Sequence, residues 1–259
     1  MKIIRDIVYD PSFAPVTSGD LYRPETVTEK TQVVLCIHGG GWCSSDRASF
    51  AGVAEFIAGE GHIAYNIDYR LTSQEPWPAC GDDCLKAAAF LRHGEIPEIT
   101  GADRRQIGVI GASAGGHLAM MTGLRFNDTA WLVSISGVLD PLPYLFNAHP
   151  VFQTFFGYRI TMENLRTAFP EAYLDRTDPP RILCTHMLTD TVVPEASTIQ
   201  FAATAAKRGV KVKKMLYEPQ DGLTGHGIWI PGSDPHRLLP ELEAEIRCFI
   251  KAGDSPQDC

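Results

Sequence analysis

The chain has 259 residues, of which 44% are hydrophobic and 21% are charged, and its formal net charge at pH 7 is −8. These values are ordinary for a globular protein, and the length suits one large α/β domain or two small ones. The sequence contains no block rich in lysine and arginine and no apolar run of about 18 residues, so neither nucleic-acid binding nor a membrane-spanning segment is expected.

The N-terminus and the cysteines bear on the cellular location. The first ten residues are interrupted by charges and lack the form of a signal peptide. The seven cysteines are irregularly spaced, which favours reduced thiols over a framework of disulfides. We therefore expect a cytoplasmic protein.

Short apolar runs alternate with stretches of helical period along most of the chain. The predicted strands are residues 33–37, 63–69, 106–110, 131–135, 182–187 and 210–217. The predicted helices are residues 51–58, 85–91, 115–124, 196–206 and about 237–250. Asp82 and Asp83 are the predicted N-cap of the second helix. Alternation of this kind indicates a mostly parallel sheet that helices cover on both faces, to which residues 3–9 and 21–22 would add antiparallel edge strands.

One segment interrupts the alternation. Residues 140–180 are rich in aromatic residues and proline, whereas the sequence as a whole has no internal repeat and no low-complexity segment. We interpret the segment as a small helical insertion within a single domain that spans residues 1–259.

The segment from Gly111 to His117, GASAGGH, follows a predicted strand and opens a predicted helix. In that context the pattern G-x-S-x-G is typical of a sharp turn that projects a nucleophilic serine above a sheet. Small residues on both sides of Ser113 allow the chain to turn there. The alternative is a glycine-rich helix start in which Ser113 is only an N-cap.

The segment HGGGW, residues 38–42, places three glycines directly after a predicted strand. Such glycines leave backbone amides open to the oxygen of a substrate carbonyl, which becomes negative when a serine attacks it. Each such donor is worth roughly 10²–10³ in rate. We expect the amides of Gly40, Gly41 and Ala114 to form this oxyanion hole. The alternative is a flexible loop.

A nucleophilic serine needs a base, and the base needs an acid that orients it. His226 lies between two glycines after the last predicted strand and is the candidate base. Of the other histidines, we assign His117 to packing and His236 to a surface or helix-cap position. Asp190 follows the strand at residues 182–187 and is the candidate acid, at the same edge of the sheet as Ser113. The rival acids are Asp221 and Asp140.

The motifs HGGGW, GASAGGH, DTVVP and GHG follow one another in this order from residue 38 to residue 227. With them the chain resembles the α/β-hydrolase fold family, and within it the compact carboxylesterases and acetylesterases related to hormone-sensitive lipase. The similarity extends over residues 30–250. It implies an α/β-hydrolase fold with a Ser113–His226–Asp190 triad and no metal or organic cofactor.

Two departures from that family fall at the rim of the expected site. The family often has glycine where this chain has Met187, and its histidine loop is usually shorter than residues 218–225 here. These differences concern substrate preference more than the triad.

Aromatic residues around the expected site are candidates for the substrate pocket. We predict substrate contacts from Trp42, Phe155 and Trp229, with a small acyl pocket roofed by the insertion. Further candidates are Trp77, Phe152 and Phe156. The alternative is that the aromatic residues of the insertion form a small core of their own.

Three functions are compatible with these residues. The first is a serine esterase that cleaves short-acyl esters through an acyl-enzyme, with acetylated or feruloylated carbohydrates among the candidate substrates. The second is an amide hydrolase of the arylformamidase type that uses the same triad. The third is a non-catalytic binding protein, against which the three filled triad positions argue. A small-molecule ester is the expected partner, and an apolar edge strand or the last helix could pair two copies as a homodimer.

Overall fold

An eight-stranded sheet forms the centre of the protein, in a computed structural model that describes residues 1–141, 150–218, 225–226, 229 and 233–251. The strands are β1 (Lys2–Val8), β2 (Ser18–Arg23), β3 (Gln32–Ile37), β4 (Ile63–Ile67), β5 (Asp103–Ala112), β6 (Thr129–Ile135), β7 (Arg181–Met187) and β8 (Val212–Tyr217). Their order across the sheet is β1-β2-β4-β3-β5-β6-β7-β8. Strands β3 to β8 are parallel, whereas β2 is antiparallel to both β1 and β4. The predicted mostly parallel sheet with antiparallel strands at one edge is therefore confirmed.

Helices pack on both faces of this sheet. They are α1 (Ala51–Gly59), α2 (Ala79–His93), α3 (Ala114–Arg125), α4 (Pro150–Phe155), α5 (Met162–Thr167), α6 (Ala196–Lys207) and α7 (Pro240–Lys251). Successive side chains of a strand point to opposite faces. Accordingly, Val33 and Leu35 pack in one core cluster with residues of α2, α3 and α6, and Val34 and Cys36 pack in a second cluster with residues of α1 and α7. None of the helices within the described ranges is long and apolar enough to cross a bilayer.

Helix α2 begins earlier than predicted. It starts at Ala79, directly after Pro78, so Asp82 and Asp83 lie within the helix and are not its N-cap. The carboxylate of Asp83 is buried and accepts two hydrogen bonds from the guanidinium of Arg70, with Nε–Oδ2 at 2.9 Å and Nη2–Oδ1 at 2.7 Å. The N-cap prediction was wrong because this carboxylate neutralises a buried arginine instead of beginning a helix.

The described part of the predicted insertion contains α4, α5 and a 3-10 turn at Pro170–Tyr173. Phe152 and Phe155 are fully buried, and the ring of Phe152 stacks on that of Phe169 with centroids 5.9 Å apart. The ring of Phe155 meets that of Phe156 edge-on, with centroids 4.8 Å apart. These residues thus form an aromatic part of the core cluster that also contains Val33 and Leu35.

The cysteines agree with the expectation of reduced thiols at all but one described position. Five of them are free thiols: Cys36, Cys43, Cys80, Cys84 and Cys184. Cys248 is instead disulfide-bonded, so the expectation was wrong for that residue. A single pairing leaves no spacing pattern in a sequence, which is why the spacing did not indicate it.

Candidate active site

Ser113 lies at the tip of a sharp turn between the end of β5 and the start of α3. Its backbone has φ 55° and ψ −123°, a conformation that residues with a side chain rarely adopt. The turn can close because glycines stand two residues before and two residues after Ser113. A Cβ on Gly111 would lie 2.1 Å from the carbonyl oxygen of Gly115, and a Cβ on Gly115 would lie 2.2 Å from that of Ile37. The amide of Ser113 donates to the carbonyl of Ile135 over 2.8 Å, which ties the turn to β6. The G-x-S-x-G motif therefore has the strand–turn–helix geometry that an exposed nucleophile requires.

His226 is hydrogen-bonded to Asp190, with Nδ1 and Oδ2 2.8 Å apart. Because an ionised carboxylate can only accept, Nδ1 carries the hydrogen and Nε2 of a neutral ring is left as an acceptor. Asp190 lies just after β7, where its Oδ1 accepts hydrogen bonds from the amides of Val192 and Val193, each over 2.9 Å. The carboxylate is thus held at both oxygens and presents one of them to the imidazole.

The charge of Asp190 is stabilised in spite of its burial. Burial by itself would raise the pKa of this carboxyl group. Hydrogen bonds from His186, from His226 and from the amide of Val193 outweigh burial, so the pKa of Asp190 lies well below its ordinary value. The carboxyl group is therefore ionised at neutral pH.

Ser113 and His226 both lie in the wall of one cavity of about 360 Å³ at the carboxyl edge of the sheet. Much of the remaining wall is apolar and includes Val138, Phe152 and Val193. A small molecule in this cavity would contact the candidate nucleophile and the candidate base together.

The three glycines after β3 bring bare backbone to the same cavity. A Cβ on Gly39 would lie 3.2 Å from the Cβ of Ser113. Gly40 and Gly41 have φ 104° and 60°, and a Cβ on Gly40 would lie 2.1 Å from the carbonyl oxygen of Ser44. Within the described part of the chain, the amides of Gly40 and Gly41 have no hydrogen-bond acceptor. The amide of Ala114 is at the first position of α3, where no acceptor exists within the helix.

Buried aromatic residues and His117 hold this glycine loop in place. The hydroxyl of Tyr69 donates to the carbonyl of His38 over 3.0 Å, and the two rings stack with centroids 4.4 Å apart. The indole Nε1 of Trp42 donates to Nδ1 of His117 over 3.2 Å, and Nε2 of His117 donates to the carbonyl of Ala168 over 2.7 Å. Burial lowers the pKa of His117 to about 4, so the ring is neutral and can accept from the indole. His117 thus serves packing, and it also joins the loop, α3 and the insertion.

Of the three predicted pocket residues, two line the cavity. Trp42 and Trp229 are in its wall, but Phe155 is not. The ring of Phe155 packs against those of Trp42 and Trp77, with centroids 4.5 and 5.3 Å away, and its place in the cavity wall is taken by Val151 and Phe152. The prediction for Phe155 is corrected accordingly: in the short helix α4, one ring faces the cavity while another packs into the aromatic core behind it.

His236 lies closer to the site than the sequence indicated. Its ring stacks on that of Trp229, with centroids 5.1 Å apart and an interplanar angle of 13°, and both residues line the cavity. Its amide donates to the carbonyl of Ser49 over 3.3 Å. The sequence offered no signal for this position, because the contact joins segments almost 190 residues apart.

Of the two rival acids, the structure describes only Asp140. The backbone amide of Asp140 donates to Oγ of Ser197 over 3.1 Å, and Asp140 does not line the cavity. Asp221 lies outside the described residues. Among the residues whose positions the structure gives, no group of three or more His, Cys, Asp or Glu side chains is placed to hold a metal ion.

Sequence comparison finds similarity to esterases. Residues 19–142 match the family model described as BD-FAE. Esterase LipC of Mycobacterium tuberculosis is 26% identical to this chain, over 80% of this chain and 55% of LipC. The probable carboxylic ester hydrolase LipM of the same organism is 27% identical, over 99% of this chain and 65% of LipM. The probable isoprenylcysteine alpha-carbonyl methylesterase ICME of Oryza sativa is 25% identical, over 98% of this chain and 65% of ICME. The chain thus spans about half to two thirds of the length of these three curated relatives.

Solved structures of esterases share the architecture. Esterase B from Lactobacillus rhamnosis superimposes with a TM-score of 0.79 at 18% identity, over 96% of this chain and 84% of that one. A thermophilic esterase from Thermogutta terrifontis superimposes with a TM-score of 0.72 at 22% identity, over 94% and 92% of the two chains. At these identities the comparison concerns the fold alone.

Proposed function

We propose that this chain, an α/β-hydrolase similar to the hormone-sensitive-lipase group of esterases, is a serine hydrolase that cleaves short-acyl carboxylic esters. The observation that carries the proposal is the hydrogen bond of 2.8 Å between His226 and Asp190, with His226 and Ser113 in the wall of one cavity. Ser113 would be the nucleophile, His226 the general base and acid, and Asp190 the group that orients the imidazole.

Acylation follows from these roles. The hydroxyl oxygen of Ser113 attacks the ester carbonyl carbon while its proton moves to Nε2 of His226. Asp190 stabilises the imidazolium through Nδ1–H. The amides of Gly40, Gly41 and Ala114 donate to the oxyanion of the tetrahedral intermediate. The bond to the alcohol oxygen then breaks, and the imidazolium gives its proton to the departing alcohol.

Deacylation repeats the sequence with water. His226 takes a proton from the water molecule while the water oxygen attacks the acyl carbon. A second oxyanion then forms at the same amides. The bond between the acyl carbon and the oxygen of Ser113 breaks, and the proton returns to Ser113. The carboxylic acid leaves and the enzyme is restored.

The size of the cavity supports a preference for short acyl groups. Its volume of about 360 Å³ lies near the lower end of the roughly 300–1,000 Å³ that small-molecule pockets span. Trp42, Val151 and Phe152 would limit the length of the acyl chain. Trp229, which also lines the cavity, would contact the substrate as well. None of the relatives described above is an amide hydrolase, so the arylformamidase alternative has no support.

The test is hydrolysis of p-nitrophenyl acetate, butyrate and octanoate by the wild type and by Ser113→Ala. We expect turnover that decreases from acetate to octanoate and disappears in the variant. Ser49→Ala, a change of the same type at another residue of the cavity wall, is the matched control and should keep most of the activity. Activity that survives Ser113→Ala would refute the mechanism. N-Formylkynurenine is assayed beside the esters, and its selective cleavage would favour the amide hydrolase.

The predicted cytoplasmic location and the homodimer stay predictions.

A further inference from the structure

A second imidazole reaches the carboxylate of Asp190. His186 is the penultimate residue of β7, and Asp190 follows four residues later. Nε2 of His186 lies 3.3 Å from Oδ2 of Asp190, and both side chains are fully buried. Oδ2 is the same oxygen that accepts the hydrogen bond from His226.

The other contacts of His186 determine which nitrogen carries the hydrogen. Nε2 lies 2.8 Å from the carbonyl oxygen of Val193, which can only accept, so Nε2 is protonated. Nδ1 lies 2.9 Å from the hydroxyl oxygen of Thr198 on α6. A hydroxyl can donate, so the ring is satisfied as a neutral imidazole that accepts at Nδ1 and donates at Nε2. The same Nε2 thus lies 2.8 Å from the carbonyl oxygen of Val193 and 3.3 Å from Oδ2 of Asp190.

We propose that His186 is a positioning residue that holds Asp190 in the orientation that His226 requires. This inference rests on the proposed function, in which Asp190 orients the catalytic base. The amides of Val192 and Val193 fix Oδ1, and His186 fixes Oδ2 from the protein interior. Rotation of the carboxylate would break hydrogen bonds at both oxygens, so its lone pair stays directed at Nδ1 of His226.

The geometry distinguishes this role from simple packing. Thr198 and Val193 alone would satisfy both nitrogens of a buried histidine. Nε2 of His186 nevertheless also lies 3.3 Å from Oδ2 of Asp190, the oxygen that accepts the hydrogen bond from His226. Residues that hold a reacting group in place affect turnover strongly, since a misplacement of 1 Å can cost about 10²-fold.

The first test compares His186→Gln with His186→Leu. The glutamine amide can still donate to Asp190, whereas leucine cannot. With p-nitrophenyl acetate we expect His186→Leu to lower kcat by up to about 10²-fold with little change in KM, and His186→Gln to recover a large part of the loss. His62→Leu is the matched control, because His62 accepts a hydrogen bond from the amide of Gln32 in another part of the fold. It should keep the kcat of the wild type.

The second measurement does not depend on turnover. The Nδ1–H of His226 should give a low-field proton resonance in NMR spectra of the wild type. The resonance should be lost or displaced in His186→Leu and retained in His186→Gln and His62→Leu. Thr198→Val, which removes the hydroxyl that hydrogen-bonds Nδ1 of His186, should displace the resonance partly, while Thr198→Ser should not. The threonine variants decide the question if His186→Leu does not fold.

Two results would overturn the inference. One is a folded His186→Leu protein with the kcat and the low-field resonance of the wild type. The other is a folded His186→Gln protein as impaired as His186→Leu, because the donor would then not be the cause. A wild type without Ser113-dependent ester hydrolysis would refute the proposed function instead, and the resonance would still report whether His186 holds Asp190.

Discussion

The indole of Trp42 donates a hydrogen bond to His117, with Nε1 and Nδ1 3.2 Å apart, and so joins the glycine loop to helix α3 behind the candidate nucleophile. The bond requires a neutral imidazole, since a protonated ring has no acceptor left at Nδ1. Burial supplies that condition by lowering the pKa of His117 to about 4.

This lowered pKa predicts a loss of stability in mild acid. The unfolded imidazole titrates near 6.5 and the folded one near 4. Between these values the unfolded chain binds a proton that the folded chain does not, so the stabilisation is complete above pH 6.5 and decreases as the pH falls towards 4. The shift corresponds to about 3 kcal/mol. Urea unfolding from pH 7 to 4 should show a steeper decline for the wild type than for His117→Gln. Parallel curves would contradict the prediction.

Asp190→Asn tests which carboxylate orients the base. An asparagine amide can donate to His226, which would place the hydrogen on Nε2 and abolish its action as a base. In serine proteases a change of this kind lowers kcat about 10⁴-fold, and we expect a loss of similar size. Asp140→Asn and Asp221→Asn are the matched controls, and both should keep most of the activity on p-nitrophenyl acetate. A reversal of this order would assign the acid to one of the rivals.

Gly40→Ala should remove most of the activity by displacing the glycine loop. The new Cβ would lie 2.1 Å from the carbonyl oxygen of Ser44 at a φ of 104°, so the backbone must shift and carry the amides away from the substrate oxygen. Loss of one oxyanion donor corresponds to roughly 10²–10³ in kcat. Gly59→Ala is the control, because a Cβ there has nothing within 4 Å. Full activity in Gly40→Ala would mean that this loop does not bind the oxyanion.

Phe152 and Phe155 form a matched pair for the acyl pocket. Phe152 lines the cavity and Phe155 does not, although both are fully buried on the same short helix. Phe152→Val should raise the ratio of kcat/KM for octanoate to that for acetate by roughly tenfold or more, because space for a single methylene group in a hydrophobic pocket is worth at least that much. Phe155→Val should lower the melting temperature with little change in the ratio. If the ratio of kcat/KM for octanoate to that for acetate is the same in both variants, the acyl group does not bind against Phe152.

The parts of the site that the sequence could predict depend on short-range patterns. The turn at Ser113 follows from small residues on either side of a serine between a strand and a helix. The glycine loop at residues 39–41 and the position of Asp190 just after an apolar strand are likewise predicted by short-range patterns. In each case the geometry needs only neighbouring residues and the rule that parallel strands end at one edge.

The parts that could not be predicted depend on contacts between distant segments. Asp83 looked like a helix cap because the partner that buries it, Arg70, is thirteen residues away. Phe155 and Phe152 have the same chemistry, and only the packing of α4 determines which one faces the cavity. His186 lies within a hydrophobic strand, and its role depends on Thr198 from the next helix. Local patterns carry no information about such pairings.

The two outer strands of the sheet bear on how the protein tolerates high concentration. An uncovered strand can template the addition of another chain, which is a route to fibres. Here β1 exposes Lys2, Arg5 and Asp6 and is irregular between Ile4 and Ile7, while β8 exposes Lys213 and Lys214. Charged side chains on both edge strands and the irregular register of β1 oppose the addition of a further strand. We therefore expect little polymerisation through the sheet at the concentrations that NMR and calorimetry require.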